Sequence, residues 1–303
     1  RVQEIASFVT KAVDEDGILY AFENCECLET VTFGANVKTI GNNAFAYAAS
    51  VETVTLGENA KIGYMAFYNC SSMTSITFAE GDQSLTIGTL ECASNNGVFY
   101  ATKIARFDVP DRVSAIGAYA FYKQTTITTV TMGESSQLVD IGKYAFGEAT
   151  KLANVTFGNN LRNIFEGAFF KIKDTTITIP KSVALIDKKA FANVSLTALN
   201  FELGGTVPLT INAEAFASSR FETVMLPARL QNIYYFYTFA NVAKFKVVDV
   251  FKSNTKLKAI EVEEGGKSFA AKDGVLYEVS EDGVADTLLF CPVAKSGTLI
   301  VPK

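Results

Sequence analysis

The sequence contains no histidine and no tryptophan among its 303 residues. Without histidine, Ser-His-Asp and Cys-His catalytic groups are excluded, as are the His ligands of most catalytic zinc sites. Chemistry that uses carboxylates alone, as in many glycosidases, stays open. The acidic clusters at residues 23–29 and 261–264 suit solvated repeat edges better than an active site. We therefore expect no enzyme activity, no cofactor and no metal site.

Cysteine is also scarce and odd in number, with five residues in the chain. They are Cys25, Cys27, Cys70, Cys92 and Cys291. An odd count in a chain with an apolar content of 49% argues against a disulfide scaffold. The spacing Cys25-x-Cys27 is too short for the usual Cys-x-x-Cys zinc pair. We expect buried free thiols, with a disulfide or a metal site as the alternatives.

The sequence has neither a basic excess nor a long apolar run. Its net charge is −5 and no basic stripe is present, so nucleic acid is not an expected partner. No apolar run approaches the about 20 residues that a membrane-spanning helix needs. The chain begins Arg1-Val2-Gln3 without a signal-peptide pattern. We expect any export signal to lie outside this sequence.

A repeated phrase fills most of the chain. An Ala-Phe pair, an alternating apolar run and an Ile-Gly pair recur in this order, for example as Ala66-Phe67, Ile76-Thr77-Phe78 and Ile87-Gly88. The recurrence predicts one solenoid over residues 1–303 with about eleven stacked units, an N-terminal edge at 1–21 and an atypical C-terminal repeat at 252–303. The predicted anchors are Phe22, Phe45, Phe67, Leu90 in place of Phe, Phe121, Phe146, Phe169, Phe191, Phe216, Phe239 in a shortened unit, and Phe251.

Each unit contains two extended pieces and a short connection. The alternation in Leu152-Ala153-Asn154-Val155-Thr156-Phe157 predicts a half-buried first strand. A second strand ends at Ile-Gly, where glycine suits a tight turn with positive φ. The seven or eight residues around each anchor allow one or two helical turns.

Residues 62–78 resemble the BspA-type leucine-rich repeats of bacterial and protozoan surface proteins. Their sequence is Ile-Gly-Tyr-Met-Ala-Phe-Tyr-Asn-Cys-Ser-Ser-Met-Thr-Ser-Ile-Thr-Phe. The Asp-Gly-Val-Leu-Tyr insertion of that family is present at residues 273–277, and a second copy occurs at residues 16–20 as Asp-Gly-Ile-Leu-Tyr. The resemblance implies a strand-dominated α/β leucine-rich-repeat solenoid. It would be a curved right-handed superhelix with a parallel β-sheet on one face, and short helical turns and small strands elsewhere.

The resemblance also implies a function. Proteins of this kind include secreted or cell-surface adhesins, so we expect a non-catalytic protein that binds a host or bacterial surface protein or glycan. The alternative is a structural spacer or stalk within a larger surface protein. The oligomeric state is not determined by the sequence.

The outward side of the first strands is the candidate ligand face. Alternation places Thr131, Thr156 and Thr178 in one polar column, which Asn200 and Met225 interrupt. Threonine is a favoured polar strand residue, so strand stability is one explanation of the column. A ligand platform is the other, and the interruptions are then its most informative part.

Two further segments could contribute to binding. Strand alternation cannot bury all of residues 234–237, so one or two of Tyr234, Tyr235 and Tyr237 should be exposed for protein or sugar contact. A local variation in packing is the alternative. The segment at residues 95–100 is predicted to be an inserted loop on one face.

Overall fold

The computed structural model describes residues 3–5, 22–33, 37, 39–57, 61–81, 84–90, 97–240 and 243–297. The chain divides into two compact units. Unit 1 contains Arg1–Asn160 and Ala168–Lys173, and unit 2 contains Leu161–Gly167 and Asp174–Lys303. The single solenoid over residues 1–303 and its superhelical curvature stay predictions. Cys92, residues 95–96 and the Asp-Gly segment at 16–20 lie outside the described residues.

Short strands alternate with turns in unit 1. The strands are β1 (Gln3–Ile5), β2 (Thr30–Phe33), β3 (Thr39–Ile40), β4 (Thr53–Leu56), β5 (Lys61–Ile62), β6 (Ser75–Phe78), β7 (Leu85–Ile87), β8 (Arg106–Val109), β9 (Val113–Ile116), β10 (Thr129–Met132), β11 (Asp140–Ile141) and β12 (Asn154–Thr156). The first strands of its repeats pair in parallel as β1-β2-β4-β6 and β8-β10-β12. The second strands pair as β3-β5 and β7-β9-β11.

Unit 2 continues the alternation and then departs from it. Its strands are β13 (Asn163–Ile164), β14 (Thr176–Ile179), β15 (Leu185–Ile186), β16 (Ala198–Phe201), β17 (Leu209–Ile211), β18 (Thr223–Leu226), β19 (Leu230–Ile233), β20 (Tyr235–Ala240), β21 (Ala243–Val248), β22 (Ala259–Val262), β23 (Phe269–Lys272), β24 (Val275–Val279) and β25 (Ala285–Phe290). First strands pair as β14-β16 and β18-β22, and second strands as β13-β15-β17-β19. The hairpin β20-β21 and the sheet β23-β24-β25 are antiparallel.

The first strands have the predicted inward and outward faces. In β14, Ile177 and Ile179 are buried, whereas Thr176 and Thr178 are exposed. The strands β8 and β18 repeat this pattern. Because successive residues of a strand point to opposite faces, one set packs into the core and the other lines an accessible sheet surface. The prediction of a strand-dominated solenoid with an outward polar column is confirmed for these strands.

The anchor phenylalanines form a column of stacked rings. Phe45 stacks on Phe67 with ring centroids 5.3 Å apart, and Phe121 stacks on Phe146 at 5.2 Å. The unit after Phe67 does not use Leu90, which is 38% exposed. Its anchor is Phe99, which is buried and stacks on Phe67 and Phe121. The predictions of Leu90 as an anchor and of an inserted loop through residues 97–100 are therefore wrong, because the additional residues of this repeat precede Phe99.

Phe239 is not an anchor either. It lies in β20, opposite Lys244 of β21 in the antiparallel hairpin. The Phe216 ring stacks instead on Phe251, with centroids 6.3 Å apart. The predicted shortened unit is thus a hairpin inserted into one repeat. The alternation in residues 235–240 belongs to this hairpin.

The turns around the anchors hold no helix in the part of the chain that the structure describes. The residue two positions after each anchor has positive φ, as at Asn69 and Lys123, and so does the residue two positions before most anchors, as at Asn43. A right-handed helix requires successive residues with negative φ, so these positions interrupt it. The predicted short helical turns are absent from the described anchor segments for this reason.

The anchor turns form a third ladder of hydrogen bonds between neighbouring repeats. The N–H groups of Asn43, Phe45 and Tyr47 donate to the carbonyl oxygens of Tyr64, Ala66 and Tyr68, at 2.9, 2.8 and 2.8 Å. The equivalent groups of Phe121 and Lys123 donate to Ala145 and Gly147. Neighbouring repeats such as these are therefore joined at the anchor turn as well as at paired strands.

The glycine after the second strand is required mainly by close packing. A Cβ at Gly117 would lie 2.5 Å from the Thr89 carbonyl oxygen, and one at Gly142 would lie 2.6 Å from the backbone carbon of Gly117. Both distances are too short to accommodate a Cβ atom, so no side chain fits at these positions. Of the Ile-Gly glycines, Gly88 has positive φ, whereas Gly117 and Gly142 do not. The predicted reason for glycine is therefore wrong at these two positions.

The cysteines are less uniform than expected. Cys70 is buried, and its thiol donates a 3.2 Å hydrogen bond to the Phe45 carbonyl oxygen. Burial raises the pKa of this thiol to about 12. Cys25 is half-buried, while Cys27 and Cys291 are exposed, and all four are free thiols. The buried-thiol prediction is confirmed at Cys70 and is wrong at Cys27 and Cys291.

The Asp-Gly insertion at residues 273–277 is a hairpin turn followed by a buried strand. Asp273 and Gly274 have φ of 50° and 73°, the conformation that a two-residue type I′ turn requires. The turn joins β23 to β24, where Val275, Leu276 and Tyr277 are buried. The Ile260 N–H donates a 3.0 Å hydrogen bond to the Gly274 carbonyl oxygen. The hairpin therefore packs directly on β22, the first strand of the last repeat.

Candidate functional site

A regular polar face covers the first strands β2, β4 and β6 of unit 1. Thr32, Thr55 and Thr77 lie opposite one another in register. The hydroxyl oxygens of Thr55 and Thr77 are 2.9 Å apart and share a hydrogen bond. Thr55 and Thr77 therefore use part of their hydrogen-bonding capacity within the column, as expected of a face that supports strand pairing.

A second part of the face in unit 1 carries charge. Thr131 of β10 lies between Asp108 of β8 and Thr156 of β12. The Arg106 guanidinium donates to Asp108 at 2.7 Å between Nε and Oδ2. This bond and a weaker one from Thr131 lower the pKa of Asp108, against the opposing effect of desolvation. Thr131 is half-buried and Thr156 is exposed.

In unit 2 the column changes in composition and in pairing. Thr178 lies opposite Asn200, and Met225 lies opposite Glu261. The described residues place β16 and β18 in separate sheets, β14-β16 and β18-β22. The polar column is thus interrupted where the two sheets meet.

A cleft of ≈ 270 Å³ opens at this break. The residues that line it are Leu199, Asn200, Phe201, Leu203, Thr223, Val224, Met225 and Glu261. Met225 and Leu203 are 38% and 47% exposed, and they stand beside an amide, a hydroxyl and a carboxylate. The cleft is smaller than the about 300–1,000 Å³ of sites for drug-sized ligands, so its size suits one amino-acid side chain or one sugar unit.

The tyrosine candidates follow the end of β19. Tyr234 is 42% exposed, and its N–H donates to the Ile211 carbonyl oxygen at 2.8 Å. Tyr235 and Tyr237 lie in β20, opposite Val248 and Lys246 in register, and their side chains lie outside the described residues. The cleft-lining residues include Asn200 and Met225 but not Tyr234. The structure thus brings two of the predicted candidates together in one cleft.

The family model for the BspA-type leucine-rich repeat region matches residues 19–96, 93–207 and 169–264, with six copies. The chain belongs to the BspA-type leucine-rich repeat family. A search of curated protein sequences found no significant match for this BspA-type chain.

A solved structure shows the same fold. A leucine-rich repeat protein from Bacteroides ovatus is 17% identical, with a TM-score of 0.57 over 80% of this chain and 57% of the other. A leucine rich cell surface protein from Faecalibacterium prausnitzii is 19% identical, with a TM-score of 0.47 over 79% and 54%. The pneumococcal vaccine antigen PcpA is 16% identical, with a TM-score of 0.38 over 100% and 85%. The BspA-type chain therefore spans just over half the length of the first two proteins.

Within the described part of the BspA-type chain, no group of three or more His, Cys, Asp or Glu side chains is placed to hold a metal ion. Among the cleft-lining residues, Glu261 is the single acid, whereas a glycosidase needs two facing carboxyl groups. The described residues also contain no apolar helix long enough to cross a membrane.

Sequence reasoning missed a row of aromatic side chains that belong to the anchor turns of unit 1 but are not the anchors. Neighbouring ring centroids along this row are 4.8–6.4 Å apart. The row consists of Tyr47, Tyr68, Tyr100, Tyr122, Tyr144 and Phe170. Lys123 and Lys171 lie over the rings of Tyr122 and Phe170, at 5.3 and 5.0 Å from the centroids. We call the six aromatic side chains, without the lysines, the outer aromatic row. Alignment of the repeats on their anchors would have revealed it, because most members lie one or two residues from an anchor.

Proposed function

We propose that this BspA-type chain is a non-catalytic binding or adhesion protein, secreted or displayed at the cell surface. Its ligand face is the cleft formed by Asn200, Leu203, Thr223, Met225 and Glu261. The partner is a host or bacterial surface protein or glycan. The observation that carries the proposal is the coincidence of the cleft with the interruption of the threonine column.

Strand stability explains the threonines but not the residues of the cleft. Threonine is favoured on a solvated strand face because its β-branched side chain suits the extended backbone. Met225 has no such advantage and leaves apolar surface in water. An exposed apolar side chain beside polar groups is typical of the centre of an interaction site. The location at the cell surface rests on the family alone.

Substitution of Met225 by threonine tests the cleft while preserving the strand. Met225→Thr restores the residue type of the regular column, so we expect unchanged stability. The variant and the parent chain are compared for binding to immobilised fibronectin, laminin, mucin and a glycan array. We expect Met225→Thr to weaken the binding of any partner about tenfold or more, since truncation of a central contact residue commonly costs at least 1.4 kcal/mol.

A matched control makes the reverse substitution, threonine to methionine, at another position on the outward face of the first strands. Thr131→Met adds a methionine to the column of unit 1 and should leave that binding unchanged. Equal weakening by both variants would contradict the assignment of the cleft. No binding across the whole panel would favour the spacer or stalk function instead.

A further inference from the structure

The outer aromatic row is not required by the turns that carry it. Tyr68, Tyr100, Tyr122 and Phe170 each follow an anchor phenylalanine directly. The same position holds Ala192 after Phe191 and Ala217 after Phe216. The turns of those repeats nevertheless keep positive φ two residues after the anchor, at Asn193 and Ser218. The aromatic side chains are thus an addition to a turn that forms without them.

The tyrosines of the row differ in exposure: Tyr47 is exposed, Tyr68 and Tyr100 are half-buried, and Tyr122 is buried. Tyr68 and Tyr100 are stacked at 4.8 Å, and Tyr100 and Tyr122 are 6.4 Å apart. Burial raises the pKa of Tyr122 to about 12, with a further contribution from Glu148. Burial also raises the pKa of Tyr68. These phenols therefore stay protonated at neutral pH and can both donate and accept hydrogen bonds.

The lysine side chains beside the row have partners within it. The Glu148 carboxylate lies 3.4 Å from Lys171 Nζ and 4.0 Å from Lys123 Nζ. These ammonium groups also lie over aromatic rings of the row. The Lys143 ammonium group likewise lies over the Tyr144 ring, 6.0 Å from its centroid. An uncharged ligand with hydroxyl groups can contact the rings without breaking these pairs.

We propose that the outer aromatic row binds an extended, uncharged polysaccharide chain. Sugar units recur along such a chain at a spacing similar to that of the rings, so successive sugars can meet successive side chains of the row. Sugar hydroxyls match phenol hydroxyls as donors and acceptors, and the C–H groups of sugars pack on aromatic rings. The proposal uses no residue of the cleft, so either proposal can fail without the other.

The test is electrophoresis of the native chain through gels that contain a soluble polysaccharide. The probes are mixed-linkage β-glucan, arabinoxylan and galactomannan, with polygalacturonate as the charged comparison. We expect at least one uncharged probe to retard the chain. The double variant Tyr68→Ala with Tyr100→Ala should weaken this retardation about tenfold or more. The cleft variant Met225→Thr should leave it unchanged.

Two further variants keep the test valid if the double alanine variant does not fold. Tyr68→Phe with Tyr100→Phe keeps both rings and removes both hydroxyls, and Tyr47→Ala truncates a ring that is 42% exposed. Thermal unfolding establishes that each is folded, and both should show weaker retardation. Three results would overturn the proposal: no retardation by any uncharged probe, retardation that all folded row variants retain, or stronger retardation by polygalacturonate.

Discussion

The inner phenylalanine column and the outer aromatic row belong to the same turns, yet their rings pair differently. From Phe22 to Phe169, inner neighbours are all stacked, with interplanar angles of 6–30°. In the outer row, Tyr68 and Tyr100 are stacked at 8°, whereas Tyr122 and Tyr144 meet edge to face at 81°. The inside of a repeat allows one ring geometry because its volume is fixed. The outside allows several, so residues there can change without loss of the fold.

The largest expected effect follows from removal of an inner ring. Phe146 is fully buried and stacks on Phe121 and Phe169. Phe146→Ala should lower the free energy of unfolding by about 3–5 kcal/mol, because a large cavity remains among packed neighbours. Denaturation in urea, followed by circular dichroism, measures the change.

A second substitution tests which residue anchors the irregular repeat. Phe99→Ala should cost about as much as Phe146→Ala, since Phe99 is equally buried. Leu90→Ala should cost less than about 1 kcal/mol because this side chain is 38% exposed. The reverse order of costs in the same denaturation experiment would contradict the place of Phe99 in the column.

An intermediate effect is expected where the backbones of two repeats approach most closely. Gly117→Ala would place a Cβ 2.5 Å from the Thr89 carbonyl oxygen, so the backbone must shift. We expect a loss of about 1–3 kcal/mol, as for other overpacked positions. Gly133→Ala is the control, because its Cβ would meet only an Asp111 side-chain oxygen, at 3.2 Å. Equal costs in urea denaturation would argue against the close approach.

The smallest effect is expected on the outward strand face. Thr156 is exposed in β12. Thr156→Ala should change the free energy of unfolding by less than about 1 kcal/mol, since few contacts are lost. Comparison of the two variants, Thr156→Ala and Phe146→Ala, gives the range of unfolding free-energy changes between the outside and the inside of a repeat. A cost similar to that of Phe146→Ala would show that the two faces are assigned wrongly.

Alternation predicted the strands because a half-buried strand has a strict period of two. The pattern of residue types is therefore sufficient to place Ile177 inside and Thr178 outside. The assumption of constant repeat length failed where extra residues precede Phe99 and where a hairpin precedes Phe251. A period locates regular units, but it cannot show whether additional residues lie before or after an anchor.

The turns and the sites were harder to predict. Positive φ at Lys123, Glu148 and Ser218 could not be inferred from these residue types, because lysine, glutamate and serine rarely adopt it. The cleft was predicted only as far as the change at Asn200 and Met225. Its opening depends on the break between β16 and β18, which no residue type signals. Alignment of the repeats on their anchors places the members of the outer aromatic row at similar positions, but the contacts between their rings join residues more than twenty positions apart.

The ladder of the anchor turns has a direction. Within unit 1, Phe22, Phe45 and Phe121 donate their N–H groups to carbonyl oxygens of the following repeat. Every second N–H group of these turns, such as those of Asn43, Phe45 and Tyr47, points to the following repeat, so the dipoles of these groups add along the stack. The ladder is therefore electrically polar. Another repeat can extend it only head to tail, which gives the assembly of such repeats a built-in sense of order.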